Sequence, residues 1–302
     1  MNCPFRGSFA ALPTPFAGPG AERVDHAALA ALVDFHVERG SDGVVVAGTT
    51  GEAATLSDQE RQSAVETVVA RAGGRVPVLA GVGTSATATT VQRARAAKEA
   101  GVDGLLVVTP PYVRAQARGL LGHFGAVADA VDLPLVLYNV PGRTGCDLDA
   151  ATAAELRRRH GNVVGIKEAG GTVGRARELL ARSDLAVFAG EDALIAEYCA
   201  LGAAGVIGVV ANLVPAEVAE LCRCAAPGGD ARRAAELEAV LHPLVRHLFL
   251  ETNPAPLKAA LAALGRLPDG ALRLPLVEVT AETRGRLVAA LHEGGLLARP
   301  GP

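Results

Sequence analysis

The nine residues "NVVGIKEAG", 162 to 170, place Lys167 at the end of an apolar run with glycines on either side. Branched valine and isoleucine side chains suit a pleated strand, and a run without polar alternation reads as a strand covered on both faces. Seven further runs of this kind recur: "GSFAALPTPF" from Gly7, "DGVVVAGT" from Asp42, "VPVLAGV" from Val76, "GLLVVTP" from Gly104, "LPLVLYNV" from Leu133, "LAVFAGE" from Leu185 and "GVIGVV" from Gly205. Between them lie Ala-rich stretches such as 25–39, 57–71, 87–100 and 150–160, with apolar residues three and four apart and Ser, Asp or Thr near several starts. Strand and helix alternating over eight strands predict an α/β chain folded as a (β/α)8 TIM barrel. An open doubly wound sheet fits less well, because the first turn, "LPTPF", is no G-x-G-x-x-G. Beyond the eighth run, 231–249, 256–264 and 281–292 read as helices in excess of what closure needs. The expected division is therefore a catalytic barrel over 1–225 and a C-terminal helical extension packed on it over 226–302.

Composition excludes several functions. Of 302 residues, 50% are hydrophobic and 20% charged, enough for one large core, and the net charge of -3 leaves no basic stripe. With no Trp and three Tyr there is little to stack on bases, so no nucleic-acid partner is expected. The start "MNCPFRGSFAALPTPF" lacks a signal peptide's charged and apolar regions, and no apolar run approaches a membrane span, so a cytoplasmic location with no membrane partner is expected. The cysteines are scattered; Cys222 and Cys224 alone are close, and no second pair completes a zinc site, so no metal is expected.

Chemistry in such a barrel sits at the C-terminal ends of the strands. On period-two alternation Lys167 follows Gly165 and Val163 on one strand face, a narrow face with room for a long inward side chain. A lysine partly removed from water loses its charged form more easily, and the free amine is a nucleophile. The bland alternative is a strand-end lysine paired with Glu168 or reaching solvent. Tyr112 and Tyr138, after the fourth run and near the end of the fifth, and Thr49 and Thr50, at the end of the second, fall on the same rim. A phenol beside a hydroxyl can pass protons, as imine chemistry requires. Each also has a plain alternative: Tyr138 a core aromatic, Thr50 a helix cap, Tyr112 a loop aromatic. Arg143, in "YNVPGRTG", stands in a Pro/Gly loop above the mouth, where a guanidinium can grip a carboxylate; its alternative is an exposed loop charge.

"GTTGEAATLS" from Gly48, "YNVPGRTGCD" from Tyr138, "GIKEA" from Gly165, "GVIGVVAN" from Gly205 and "ETNPAPLKAAL" from Glu251 resemble the signature segments of the dihydrodipicolinate synthase/N-acetylneuraminate lyase family of class I aldolases. The likeness runs in order from about Gly7 to Ala290. Arg143 and the paired threonines resemble the synthase branch more than the sugar-acid lyases. The resemblance implies that Lys167 forms an imine with pyruvate and that Tyr138 moves protons as it becomes an enamine. That enamine attacks L-aspartate 4-semialdehyde, a step of lysine and diaminopimelate biosynthesis. It implies a relay in which Thr50 links Tyr138 to Tyr112, the latter reaching a neighbouring subunit's site. Thr49 and Thr50 are implied to hold pyruvate's carboxylate and Arg143 that of the semialdehyde, with Gly190 and Ile207 close to substrate. It implies no metal or organic cofactor, and a homo-oligomer, a tetramer built as a dimer of dimers.

Two other readings remain open at this point: another pyruvate-dependent aldolase or lyase acting on 2-keto-3-deoxy or N-acetylneuraminate-type acids, and a catalytically silent barrel that binds a keto acid. Family members inhibited by L-lysine bind it through polar groups after "GTTGE", after the third strand and before the relay tyrosine. Here Asp58, Arg61, Ser85, Thr89 and Pro111 stand at those places, so insensitivity to lysine is expected.

Overall fold

The structure, a computed structural model, describes residues 2–298, so 299–302 of the expected extension lie outside the described residues. Eight parallel strands close into a barrel: β1 Gly7–Ala11, β2 Gly43–Val46, β3 Val78–Gly81, β4 Gly104–Val108, β5 Leu135–Asn139, β6 Val163–Glu168, β7 Ala186–Ala189 and β8 Gly205–Gly208. Each is hydrogen-bonded to its sequence neighbours, and β8 returns to β1 with Phe9 opposite Ile207. The eight anticipated runs are these eight strands. A small antiparallel hairpin, Phe16–Ala17 with Arg23–Val24, follows β1 and had no periodic signal to announce it.

The helices that follow the eight strands are α1 His26–Glu38, α2 Asp58–Ala72, α3 Thr87–Glu99, α4 Ala117–Ala130, α5 Ala150–Arg159, α6 Val173–Arg182, α7 Ile195–Ala200 and α8 Pro215–Ala225. Their starts are set by side chains that satisfy otherwise unpaired N–H groups: Asp25 accepts from Ala28 N, and Ser57 and Glu60 form a reciprocal capping box at α2. Each such cap contributes about 1 kcal/mol.

Two apolar layers hold the barrel. The interior is filled by Phe9, Val45, Leu79, Leu106, Val136, Phe188 and Ile207, with Phe5 beneath. Phe9 meets Phe5 and Phe188 edge-on at 5.7 and 6.1 Å between centroids. Glycine at position 43 makes this possible, since a Cβ there would lie 2.2 Å from the Phe9 ring. The outer layer joins the other strand faces to the helices, and α9 Ala231–Leu248, α10 Ala255–Ala263 and α11 Ala281–Glu293 bury Leu237, Leu241, Leu257, Leu261, Leu287 and Leu291 in it.

Strict alternation fails at one place in the deciding strand. The register between β5 and β6 shifts between Leu135 and Val136: Leu135 faces Val163, but Val136 already faces Gly165. Val163 therefore joins the helix-facing layer with Leu135 and Ile166, not the inner face that alternation assigns it. Gly165 and Lys167 keep the inward face expected of them.

Candidate active site

Lys167 and Tyr138 are register partners on β6 and β5, at the strand ends where barrel chemistry is built. Both are buried, and the Lys167 ammonium lies 4.4 Å from the Tyr138 ring centroid. Lys167 is not paired with Glu168, whose carboxylate accepts from Asn139 Nδ2 at 3.0 Å and from Gly170 N. Successive strand residues point to opposite faces, which separates the two. Two acids that feel the Lys167 charge follow the end of β7. Burial raises the Glu191 carboxyl above the usual carboxylate range, while Lys167 and Arg143 pull it back. Burial pushes fully enclosed Asp192 up to about 6, against N–H groups of Val209 and Val210 and the charge of Lys167. The Val209 N–H donates to Asp192 Oδ2 at 2.9 Å. Neither carboxylate was singled out in the sequence, although two acids ending an apolar strand carry the same signal as Lys167.

Thr50 is buried and is not a helix cap; its Oγ1 accepts from Asn253 Nδ2 at 3.0 Å. Thr49 beside it is half-buried, its carbonyl accepting from Glu52 N. Arg143 stands exposed on a one-turn helix, Pro141–Thr144, rather than in an irregular loop, and donates to the Asn253 carbonyl at 3.4 Å. Ile207 is enclosed in the barrel. Gly190 lies alongside β6: its N–H donates to Glu168 O at 2.8 Å, and a Cβ would sit 2.7 Å from that of Ala169.

Tyr112 is the exception. Within the single chain it is 93% exposed, so the structure does not bring it to Tyr138 and Thr50 as a shared rim suggested. Its backbone is held in the left-handed region, φ 74°, with its N–H on Thr144 O at 2.9 Å, which fixes the loop while the ring projects outward. Thr109 and Thr144 hydroxyls, 3.0 Å apart, lock the loops after β4 and β5 together.

The C-terminal extension supplies groups that strand-end reasoning missed. Lys258, on α10, is enclosed and donates to Glu52, two residues beyond Thr50, and to Ala271 O. Asn253 touches both Thr50 and Arg143. Among the described residues no group of three His, Cys, Asp or Glu could hold a metal, and no helix is long and apolar enough to cross a membrane.

A buried amine beside a phenol, with a hydroxyl and a guanidinium at the same mouth, is arranged for imine chemistry on a carboxylated carbonyl compound. The Dihydrodipicolinate synthetase family matches over residues 4–294. A 4-hydroxy-tetrahydrodipicolinate synthase of Alcanivorax borkumensis is 46% identical over 294 residues, 97% of this chain and 98% of its own. The crystal structure of dihydrodipicolinate synthase from Aquifex aeolicus is similar at TM-score 0.94 and 42% identity, covering 98% of this chain and 100% of that one. The chloride-inhibited synthase from Acinetobacter baumannii, solved in complex with pyruvate, is similar at TM-score 0.93 and 40% identity, covering 97% and 100%.

Proposed function

The chain belongs to the dihydrodipicolinate synthetase family, and on that premise we propose that it condenses pyruvate with L-aspartate 4-semialdehyde through an imine on Lys167. The observation that carries this is the buried Lys167–Tyr138 pair at the end of adjacent strands. The Lys167 amine adds to the keto carbon of pyruvate and expels water, leaving an imine. The imine withdraws electrons from the methyl group, which loses a proton through Tyr138 to give an enamine; the lysine itself serves as electron sink, so no cofactor is required. The enamine carbon forms a bond to the aldehyde carbon, whose oxygen takes a proton. The amino group of the added unit then replaces Lys167 at the imine carbon, closing the ring and freeing the enzyme.

Thr49 and Thr50 hold the pyruvate carboxylate, Gly190 and Ile207 bound the reacting carbons, and Arg143 receives the carboxylate of the semialdehyde. Tyr112 completes the relay in a second copy of the chain: its outward ring and fixed backbone suit donation across an interface, as in a dimer of dimers. The location in keeping with this metabolism is the cytoplasm. The test is a condensation assay on purified protein with pyruvate and a panel of aldehydes. Turnover with the semialdehyde supports the reading, and faster cleavage of sialic acid or a ketodeoxy sugar acid refutes it.

Arg143→Ala separates the two substrates. Of the two substrates it is assigned to hold only the second, and a charge-assisted pair is worth about 1.5–3 kcal/mol, so kcat/KM for the semialdehyde should fall on the order of 10- to 100-fold. The amount of pyruvate trapped on the protein by borohydride should stay the same. Equal loss of both steps would assign Arg143 a structural role.

L-Lysine is expected not to inhibit. Asp58, Arg61 and Thr89 do meet at one cavity of about 440 Å³ between α2 and α3. Asp58, however, is bonded to Arg93 at 2.7 Å, leaving Glu99 as the other lining carboxylate against two guanidinium groups. Burial and the neighbouring Arg93 charge bring Arg61 down to about 10, above neutrality, so it remains a cation. A cationic ligand entering there loses hydration and meets two guanidinium groups against the single uncommitted carboxylate of Glu99. Initial rates at subsaturating pyruvate, with and without excess L-lysine, check this; saturable inhibition would contradict it.

A further inference from the structure

Asn253 lies between α9 and α10, some two hundred residues from the loop it touches, with its side chain buried. Its Nδ2 donates to Thr50 Oγ1 at 3.0 Å, and its backbone carbonyl accepts from Arg143 Nη2 at 3.4 Å. Its Oδ1 is buried with no hydrogen-bond partner. An enclosed amide with half its capacity unmet is unfavourable, and an apolar side chain of similar size would fill the space without an orphaned acceptor. Packing alone therefore gives no reason for asparagine here.

The reason lies in what the amide does to Thr50. A threonine hydroxyl has one proton to give and two lone pairs that accept. The Nδ2 group occupies a lone pair and cannot take the proton, so the hydroxyl proton is turned away from the extension. We propose that Asn253 is a positioning residue of the reaction, whose side-chain amide orients the Thr50 hydroxyl as the proton donor toward Tyr138. This deepens the proposed function and rests on its relay. The same residue's carbonyl steadies Arg143, so the groups that handle the proton and the aldehyde are both referenced to one point of the extension.

Substitutions at 253 remove the amide but keep the carbonyl, which leaves the Arg143 contact in place. The readout is exchange of pyruvate methyl hydrogens for solvent deuterium, followed by NMR. It needs the imine, the enamine and the relay but no aldehyde. A positioned acid or base contributes about 10²- to 10⁴-fold, and misorienting one member forfeits part of that. Asn253→Ala is expected to slow exchange about 10-fold or more. The borohydride-trapped pyruvate adduct should be unchanged and the variant still folded at the assay temperature. Asn253→Asp, which keeps the size but offers an acceptor that captures the Thr50 proton, should slow exchange further. In a Thr50→Val background, Asn253→Ala should add less than about threefold, because the group it acts on is gone.

Unchanged exchange in Asn253→Ala overturns the inference. So does an equal loss with and without the Thr50 hydroxyl, or a loss that tracks early melting or a missing imine, each of which marks a structural role. Wild-type protein that exchanges pyruvate hydrogens but condenses no semialdehyde refutes the assigned aldehyde, and the comparison of variants still decides the role of Asn253. Wild-type protein that exchanges nothing refutes both.

Discussion

Lys167→Ala is expected to lower the condensation rate by about 10⁴-fold or more, because the covalent nucleophile is lost and the remaining groups can only bind and orient the reactants. Lys167→Arg should do no better: a guanidinium stays protonated and offers no free electron pair to the keto carbon. Neither result should come from unfolding. Lys167 replaces no interior layer and caps no helix, its ammonium lying against Tyr138 at the mouth. Its removal takes out one enclosed cation but also the charge that favours the buried Glu191 and Asp192 carboxylates, so the rate loss is to be read on protein shown by its melting curve to be folded at the assay temperature. Steady-state rates alongside melting curves check both halves. A rate within about 100-fold of wild type in a folded variant would place the nucleophile elsewhere.

The second large effect concerns a pair that does no chemistry. Glu52 and Lys258 are both enclosed, joined by a direct ion pair between the rim loop after β2 and helix α10. Glu52 also accepts from Arg273 N at 3.1 Å, so one carboxylate anchors the extension at two points. Removing one partner leaves the other as an uncompensated buried charge, which costs about 3–5 kcal/mol. Glu52→Gln and Lys258→Met should each show this in denaturant unfolding, with a melting temperature lower on the order of 10 °C. The double replacement Glu52→Leu with Lys258→Met should recover most of the loss, since a well-packed apolar pair often matches a buried ion pair. Because Glu52 lies two residues from Thr50, the single variants should lose condensation activity as well. Losses below about 1 kcal/mol, the range of exposed ion pairs, would show that the pair does not hold the extension in place.

The barrel was legible because its strands are short β-branched runs buried on both faces and its helices are capped by residues such as Asp25 and Ser57 that sequence displays. Three features were not. Val163 faces outward because a register shift breaks the alternation, and nothing in "NVVG" marks where an extra residue enters. The position of Tyr112 after β4 suggests the rim, but direction depends on backbone angles; at φ 74° the ring leaves the rim of its own chain, and only the family resemblance, which sends it to a neighbouring subunit, pointed outward. Asn253 meets Thr50, and Lys258 meets Glu52, across some two hundred residues, and pairings at that separation carry no periodicity. Lys167, Tyr138, Thr50 and Arg143 were accessible because chemistry-bearing side chains at the ends of barrel strands converge by topology alone.

The most direct test is reductive trapping on the wild-type protein. Incubation with pyruvate and borohydride should add one three-carbon carboxylate unit per chain, and peptide mapping should find it on Lys167. Addition of the semialdehyde before the reductant should lower the yield as the enamine is consumed. An adduct on Lys98 or Lys258, or fully active protein that traps nothing, would contradict the account.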